Sequence, residues 1–219
     1  MAKRLKDNGL TIVLLALFAI SIAGQWFAGW HVANQELAEH GRAAMSLASY
    51  TVSPDFLSAV FENWESEFLQ MATYVLLTAM LVQRGSAESR DPDGAPRDGD
   101  LAAQAAKPGA PAILQHGRLA RAVYAQSLSI VLAVLFVISF VIHWTQSARV
   151  AAREALDHDA VPPTIIGYLG DPQLWFESFQ NWQSEFLSTA VLVVLSIFLR
   201  QRGSPESKAV AAPHAQTGA

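Results

Sequence analysis

Two glutamates in two nearly identical heptads are the residues best suited to chemistry. Glu67 belongs to the heptad NWESEFL at 63–69, and Glu185 belongs to NWQSEFL at 181–187. Each glutamate follows an asparagine by four residues, which places the carboxylate and the amide on one face of a helix. A carboxylate held inside a membrane is costly and usually serves as a proton relay or a cation site. The candidate polar site therefore comprises Asn63, Glu67, Asn181 and Glu185.

A structural interpretation of the same heptads competes with the chemical one. Each glutamate lies 17 residues before an arginine, Arg84 or Arg202, that is predicted to mark the cytoplasmic boundary. The intervening helix measures about 25 Å against a hydrocarbon core of about 30 Å, so both glutamates are expected just inside the outer boundary. Because a carboxylate at that depth reaches headgroup water, anchoring or structural hydrogen bonding is favoured over a proton or ligand site.

The tryptophans and one variable position of the heptads support further predictions. Four tryptophans near the predicted outer boundary are expected to anchor the helices as an aromatic belt: Trp26, Trp64, Trp144 and Trp182. Glu65 of the first heptad is replaced by Gln183 in the second. We therefore expect Glu67, rather than Glu65, to be the acid that matters in either interpretation.

Another pattern pairs a glutamate with a histidine four residues later. Glu36 precedes His40, and Glu154 precedes His158. One pair offers a metal only two ligands, and a surface contact between i and i+4 explains the spacing without a metal. No metal site is therefore predicted. The sequence has no cysteine, and it has no phosphate loop, nucleophile motif or HExxH motif, so neither a cofactor nor an enzymatic activity is expected.

Four apolar segments carry these residues and predict an all-α integral membrane protein. Hydrophobic residues make up 52% of the 219 residues, and charged residues make up 16%. We predict four transmembrane helices from these segments, at about 10–30, 64–83, 122–144 and 182–200. The first is expected to be a retained span rather than a cleaved signal peptide, because a similar segment recurs within the chain.

The sequence contains a direct tandem duplication with an offset of 118 residues. Without gaps, 63–90 and 181–208 share 16 of 28 residues, and 10–41 and 128–159 share 13 of 32. Because a two-span unit returns to the side where it began, the copies are expected to be parallel repeats. The predicted organisation is a first repeat over 1–90, a flexible cytoplasmic linker over 91–118, a second repeat over 119–208 and a flexible tail over 209–219.

The distribution of lysine and arginine predicts the orientation. The N-terminus, the connection at 83–121 and the C-terminal segment hold twelve of these residues, whereas the two segments on the other side hold three. Cytoplasmic segments of membrane proteins carry such an excess, so both termini are expected to be cytoplasmic. No basic patch exists beyond this signal, and no nucleic-acid partner is expected.

The repeated motifs resemble those of a known family. NWxSEFL before a short span, and QRGSxES after it at 83–89 and 201–207, are similar to an uncharacterised family of four-span bacterial membrane proteins. The resemblance covers essentially the whole chain. It implies a location in the bacterial inner (cytoplasmic) membrane and the duplicated architecture, and it implies no activity.

Two functions are compatible with these patterns. The first is a non-catalytic membrane interaction or scaffold module, whose partners are the lipid bilayer and either a second copy of the chain or another membrane protein. The second is a small transporter or a proton- or cation-conducting protein that uses the paired Glu67 and Glu185. The shallow depth of the glutamates favours the first function.

Overall fold

The computed structural model of the chain is all-α and describes residues 2–95 and 98–218, with side chains of the first helix described from Asp7 onward. These residues contain seven α-helices, two short 3-10 segments and no strand. The helices are α1 (Ala2–Glu39), α2 (Leu47–Thr51), α3 (Pro54–Met80), α4 (Leu101–Ala105), α5 (Arg118–Ala125), α6 (Ser127–Asp157) and α7 (Pro172–Phe198). The predicted all-α class is confirmed.

Parts of several predictions fall outside the described residues. The linker prediction includes 96–97, and the repeat and tail predictions include Met1 and Ala219. The orientation prediction also counts three basic side chains of the first helix that lie outside this description, namely Lys3, Arg4 and Lys6.

Two helices, α1 and α6, are long and apolar enough to cross a membrane. Their qualifying segments are Asp7–Glu39, with 33 residues, and Ser127–Asp157, with 31 residues. The predicted span at 122–144 therefore begins later than expected, because its first residues belong to α5, which ends at a turn around Gln126. None of the apolar window of α1 is buried within the protein. Such a surface is unfavourable in water and needs an apolar environment.

Among the described residues, the structure supports two helices that are both long and apolar enough to span a membrane, rather than the four predicted. α3 ends at Met80 and α7 ends at Phe198, before the ends of the predicted spans. The apolar part of each helix, 68–80 or 186–198, therefore has 13 residues. Thirteen residues make about 20 Å of helix, which is shorter than the hydrocarbon core of about 30 Å. The polar heptad before each part prevents a longer apolar stretch.

Helix starts recur at the offset of the sequence duplication. α3 and α7 each have 27 residues and begin at Pro54 and Pro172. Proline suits the first helical turn because its φ is already fixed and its missing N–H would have no partner there. Ser53 caps α3, since its hydroxyl oxygen accepts a hydrogen bond from the Phe56 backbone N–H at 3.3 Å. Both helices therefore begin at a proline that is equivalent in the two repeats.

The ends of α1 and α6 recur in the same way. α1 ends at Glu39 and α6 ends at Asp157. The turn after each helix has a residue with positive φ, which is Gly41 at 66° in the first case and Asp159 at 52° in the second. Aspartate is one of the few residues besides glycine that adopts this conformation readily. A residue with positive φ therefore follows each helix at the equivalent position, although only one of these two residues is a glycine.

The chain divides into two compact units. One comprises Met1–Phe61 and Ile142–Asp171, and the other comprises Glu62–Val141 and Pro172–Ala219. Each unit takes segments from both predicted repeats. The units therefore do not follow the boundaries of the sequence duplication.

In the first unit, side chains of α1 hold the segment that follows the helix. Trp30 Nε1 donates a hydrogen bond to the Met45 carbonyl at 2.8 Å. Asn34 accepts from the Met45 N–H at 2.7 Å and donates to the Met45 carbonyl at 3.2 Å. These bonds satisfy backbone groups in a segment without regular structure and hold α2 beside α1.

Tyr50 of α2 fits against α1 at Gly29. The tyrosine is 5% exposed, and its ring lies 5.3 Å from the Phe56 ring, centroid to centroid. A Cβ atom on Gly29 would lie 2.2 Å from the Tyr50 hydroxyl oxygen. Only glycine allows this close approach. Burial raises the pKa of the Tyr50 phenol, and the Asp55 carboxylate raises it further.

In the second unit, the segment expected to be a flexible linker is partly helical. α4 begins after Asp100, whose carboxylate accepts a hydrogen bond from the Ala102 N–H at 2.9 Å. Ala105 and Leu114 are buried. A capped helical turn and a few buried apolar side chains therefore give local order to a segment rich in glycine, proline and aspartate.

Replacing Gly29 with alanine tests the contact with Tyr50. The added methyl group displaces the tyrosine ring, and we expect a loss of roughly 1–3 kcal/mol in the free energy of unfolding. Gly24→Ala is the matched control on the same helix, because nothing lies within 4 Å of a Cβ at that position. Thermal unfolding in detergent should give a lower midpoint for Gly29→Ala and an unchanged or higher midpoint for Gly24→Ala. Equal midpoints would contradict the contact.

Candidate functional site

The two heptads meet in the second unit at Glu65. This glutamate is 0% exposed, and its carboxylate accepts a hydrogen bond from Trp182 Nε1 at 2.9 Å. A buried carboxylate requires such donors because burial removes it from water. The second heptad has Gln183 at the equivalent position, and that side chain is exposed. The difference between the heptads therefore coincides with a buried acid in one copy only.

A second polar contact joins Asn181 to Glu62. The Asn181 amide donates to Glu62 Oε1 at 2.5 Å. The neighbouring Trp182 packs edge-on against Phe136 and Phe179, at centroid distances of 6.3 and 5.3 Å. Edge-to-face geometry is the favourable arrangement of aromatic rings. Trp182 thus contacts protein groups on several sides, and its expected role as a lipid anchor stays a prediction.

The structure brings the predicted pair Glu67 and Glu185 near each other. Glu185 is half-buried and experiences electrostatic repulsion from Glu67, which is exposed. Asn63, the first residue of the same heptad as Glu67, is also exposed. One turn beyond the glutamates, the Gln70 amide donates to the Thr189 hydroxyl. Polar groups of α3 and α7 therefore meet at successive turns.

Beyond the Gln70–Thr189 contact, α3 and α7 line a cavity of about 410 Å³. This volume falls within the range of about 300–1,000 Å³ that is typical of small-molecule pockets. About half of the lining residues are apolar, but they supply most of the surface that faces the cavity; they include Leu77, Leu81, Val82, Phe186, Val193 and Val194. The cavity is suited to a hydrocarbon group.

One carboxylate, that of Glu88, belongs to the lining of this cavity. The Tyr74 hydroxyl donates to Glu88 Oε2 at 3.0 Å. The other oxygen, Oε1, is buried, and no donor among the described residues hydrogen-bonds to it. Burial raises the pKa of Glu88; the Tyr74 hydrogen bond lowers it, and the Glu206 carboxylate raises it again, through both repulsion and a side-chain hydrogen bond. The lining of this cavity therefore includes one carboxylate that is engaged by Tyr74 and Glu206.

The two QRGSxES segments form equivalent turns after α3 and α7. The Gln83 N–H donates to the Ser89 hydroxyl oxygen at 3.0 Å, and the Gln201 N–H donates to Ser207 at 2.9 Å. Both turns contain a glycine with positive φ, namely Gly85 (84°) and Gly203 (83°). The glycine and the last serine of the motif are thus explained by backbone geometry.

Arg84 and Arg202, the predicted boundary residues, are exposed in these turns. Arg84 makes two hydrogen bonds to the Asp93 carboxylate, at 2.7 and 3.4 Å. An exposed ion pair of this kind contributes little to stability. Both arginines are available to solvent, and their role at a membrane boundary stays a prediction.

Lys208, which follows the second motif, is buried among backbone carbonyls. It is 1% exposed, and its ammonium donates to the carbonyls of Gly85 at 2.5 Å, His214 at 2.9 Å and Gln216 at 2.9 Å. Burial lowers the pKa of this ammonium group. Over its described part, the tail expected to be flexible is therefore tied to the turn of the first motif.

Three of the four weak metal-ligand candidates lie together in the first unit. Glu36, His40 and Glu154 line a cavity of about 30 Å³, whereas His158 is not among the lining residues. The cavity is about large enough for one water molecule. His40 Nδ1 lies 2.9 Å from the Glu36 carbonyl oxygen, so this nitrogen is engaged with the end of α1.

Two ion pairs border the same small cavity. Arg153 binds both carboxylate oxygens of Asp55, and Arg42 binds Asp157. The two-point contact between a guanidinium and a carboxylate is the strongest geometry for such a pair. The lining of this cavity is therefore largely an ion-pair network.

The other predicted anchors have protein partners or are partly covered. Trp26 Nε1 donates to the Thr51 hydroxyl oxygen at 3.0 Å, and Trp144 Nε1 donates to the Ile165 carbonyl at 2.8 Å. Trp64 is half-buried. Trp26 and Trp144 thus hold the segments that follow α1 and α6, and anchoring in lipid by any of the three stays a prediction.

These observations define an all-α protein with two helices that are able to cross a membrane. The chain belongs to the family described as Domain of unknown function (DUF6766), whose model covers residues 1–219. The resemblance to an uncharacterised family is thereby confirmed. No curated protein and no solved structure matches the chain.

Several residues of the site were not predicted from the sequence. Glu65 and Tyr74 differ from their counterparts in the second repeat, Gln183 and Leu192, and this difference is the signal that would have found them. Glu88 lies inside a motif that is the same in both repeats, so comparison of the repeats offers no signal for it.

The Trp182–Glu65 hydrogen bond can be tested by a double-mutant cycle. Trp182→Phe removes the donor to a buried carboxylate, and we expect a loss of about 1–3 kcal/mol in the free energy of unfolding. In a Glu65→Gln background the loss should be smaller, because an amide oxygen left without this donor costs less than a carboxylate. Effects that add within about 0.5 kcal/mol would show that the two side chains are not coupled.

Proposed function

We propose that the protein is a non-catalytic module of the bacterial inner membrane that interacts with lipid and with other membrane components. The observation that carries this proposal is the uncovered apolar surface of α1. Leu10 is 75% exposed, Leu15 is 61% exposed and Ile20 is 70% exposed. Removing apolar surface from water is favourable by about 25 cal/mol for each Å². Side chains that stay exposed to water do not gain this free energy. A bilayer supplies the apolar surroundings that the protein itself does not.

We further propose that α3 and α7 insert as short third and fourth spans. Apolar exposure continues along both helices, as at Met80 (64%) and Leu187 (64%). The apolar run of α3 also extends past the helix end through Leu81 and Val82. A short span is accommodated by local thinning of the bilayer, at a cost of fractions of a kcal/mol per Å.

The proposed architecture is two parallel tandem repeats, over 1–90 and 119–208, with both termini in the cytoplasm. Matched helix starts at Pro54 and Pro172 support it, as do the equivalent hydrogen bonds in the two QRGSxES turns. The excess of lysine and arginine on one side supports the orientation.

The scaffold role is supported by how the heptads use their polar groups. Trp182 is bonded to Glu65, and Asn181 is bonded to Glu62. These groups hold helices together, as polar side chains commonly do between membrane helices. Near the start of α7, Phe176 is 62% exposed and Phe179 is 57% exposed, which leaves an apolar surface for lipid, for a second copy or for another membrane protein.

Single-cysteine labelling tests the insertion and the orientation. The chain has no cysteine, so Ala44→Cys and Ala95→Cys each introduce one reporter, and both alanines are exposed. In intact cells, a membrane-impermeant maleimide should label Cys at position 44 and should reach position 95 only after lysis. Labelling of position 95 in intact cells would overturn the orientation. Release of the protein from membranes by alkaline carbonate would overturn the insertion itself.

A second candidate function is proton or cation conduction through Glu67 and Glu185. The electrostatic interaction between these two carboxylates favours it, because two acids near each other can share a proton. In liposomes that contain the protein, Glu67→Gln/Glu185→Gln should then reduce proton flux at least tenfold, whereas Glu39→Gln, at an exposed glutamate, should leave it unchanged. Equal flux in wild type and in the double variant would exclude this function.

A further inference from the structure

We propose that the short helix α5 lies on the cytoplasmic surface of the bilayer and binds anionic lipid head groups. Its apolar face enters the membrane interface, and its two arginines contact lipid phosphates. The inference rests on the proposed function, because it requires α6 to span the membrane. It goes beyond that function by assigning one class of lipid to a defined surface of the protein.

The side chains of α5 form two distinct faces. Leu119 and Val123 are four residues apart, and Arg118 and Arg121 are three residues apart, so each pair shares a face. With 3.6 residues per turn, the centres of the two pairs lie about 150° apart around the helix axis. Leu119 is 78% exposed and Val123 is 50% exposed. A helix with an apolar face opposite basic residues is typical of one that lies in the membrane interface.

The protein itself covers little of α5. Six of the eight residues of the helix are exposed: Arg118, Leu119, Ala122, Val123, Tyr124 and Ala125. A helix shorter than about 12–15 residues is marginally stable in water unless another surface packs against it. A bilayer surface provides this support, because it covers the apolar face and leaves the arginines at the level of the head groups.

The connection to α6 places α5 beside the membrane. Only Gln126 separates the two helices, since α6 begins at Ser127. The Ser127 hydroxyl donates to the Tyr124 carbonyl at 2.8 Å, and the Gln126 N–H donates to the Val123 carbonyl at 3.2 Å. Leu128, at the start of the proposed span, is 60% exposed. Because eight residues make only about 12 Å of helix, all of α5 stays close to the end of that span.

The charge of this segment selects an anionic lipid. No aspartate or glutamate occurs between Asp100 and Glu154 in the sequence. Within the described part of the chain, no carboxylate forms an ion pair with Arg118 or Arg121. A guanidinium group binds a phosphate through two parallel hydrogen bonds, and a negatively charged leaflet attracts basic residues near its surface. The two arginines therefore favour phosphatidylglycerol over a zwitterionic lipid.

Fluorescence quenching by bromine-labelled acyl chains measures the position of α5. The full chain with Val123→Cys carries a fluorophore at that cysteine and is reconstituted in vesicles of phosphatidylcholine alone or of equal parts phosphatidylcholine and phosphatidylglycerol. Phosphatidylglycerol should raise the ratio of lipid-bound to solvent-exposed α5 about 25-fold, or about fivefold for each arginine. Most of this gain should disappear in about 1 M salt, where the Debye length is about 3 Å. Equal quenching in the two kinds of vesicle would overturn the proposal.

A fluorophore at Ala125→Cys is the control for the face of the helix. Ala125 is exposed and lies four residues after Arg121, so it shares the basic face. It is also two residues nearer to α6 than Val123 is. Weaker quenching at position 125 than at position 123 therefore supports the proposed face, whereas equal quenching at both positions contradicts it.

Two double variants with the same loss of charge locate the binding surface. Arg118→Gln/Arg121→Gln should abolish the preference for phosphatidylglycerol. Arg90→Gln/Lys107→Gln removes two positive charges from exposed positions outside α5 and should retain the preference. If both double variants lose the preference equally, total charge explains it and the assignment to α5 is wrong.

Two further outcomes separate this inference from its alternatives. Protection of position 123 that increases with the ratio of protein to lipid, and does not depend on lipid charge, would assign the apolar face to a second copy of the chain and exclude the lipid. Alkaline carbonate extraction of the same vesicles tests the proposed function separately. Protein that stays in the membrane with an unquenched α5 would refute this inference alone, whereas release of the protein would refute both proposals.

Discussion

Apolar side chains that the protein leaves uncovered impose the main physical constraint on this structure. α1 buries none of its apolar window, and α6 buries only 22% of its own. In an apolar environment, polar groups must find partners inside the protein, since water is not available to them. Contacts between α3 and α7 fit this requirement: Glu65 with Trp182, and Gln70 with Thr189.

The duplication explains why helix starts and turns recur along the chain. The buried contacts, in contrast, depend on positions at which the two copies differ. Pro54 and Pro172 start equivalent helices, and the two motif turns use equivalent hydrogen bonds. The buried groups, however, are asymmetric. Glu65 is paired with an indole in one copy, while Gln183 is exposed in the other.

The sequence predicts the elements of this fold better than their limits. Helix starts follow from local chemistry, because proline and a capping serine act within one turn. The sequence does not predict that α3 ends at Met80, because the apolar run continues to Val82 and no residue near Met80 signals the end of a helix. The helices instead end where the glycine turn of each motif begins to form. Hydropathy alone therefore places the ends of α3 and α7 too late, which overestimates the length of their apolar parts and the number of helices that are apolar enough to span a membrane.

The candidate site was predictable only in part, and for a similar reason. The heptads could be found from the repeat, and the structure brings Glu67 and Glu185 near each other. Glu88 could not be found, because its importance depends on Tyr74, which is 14 residues away in sequence and hydrogen-bonds to it only in the folded chain. The buried environment of Lys208 likewise depends on where the tail lies, and composition alone predicts that the tail is mobile.

The burial of Lys208 has a consequence for the order in which the chain is completed during synthesis. The turn of the first motif exchanges hydrogen bonds with residues made much later: the Gly85 N–H donates to the Thr217 hydroxyl at 2.9 Å, and the Gly218 N–H donates to the Ser86 carbonyl at 2.9 Å. At about 5–20 residues per second, these partners follow the motif by roughly 7–26 seconds. The first repeat therefore leaves the ribosome with an unfinished turn, which is completed only after residues 208–218 have been made.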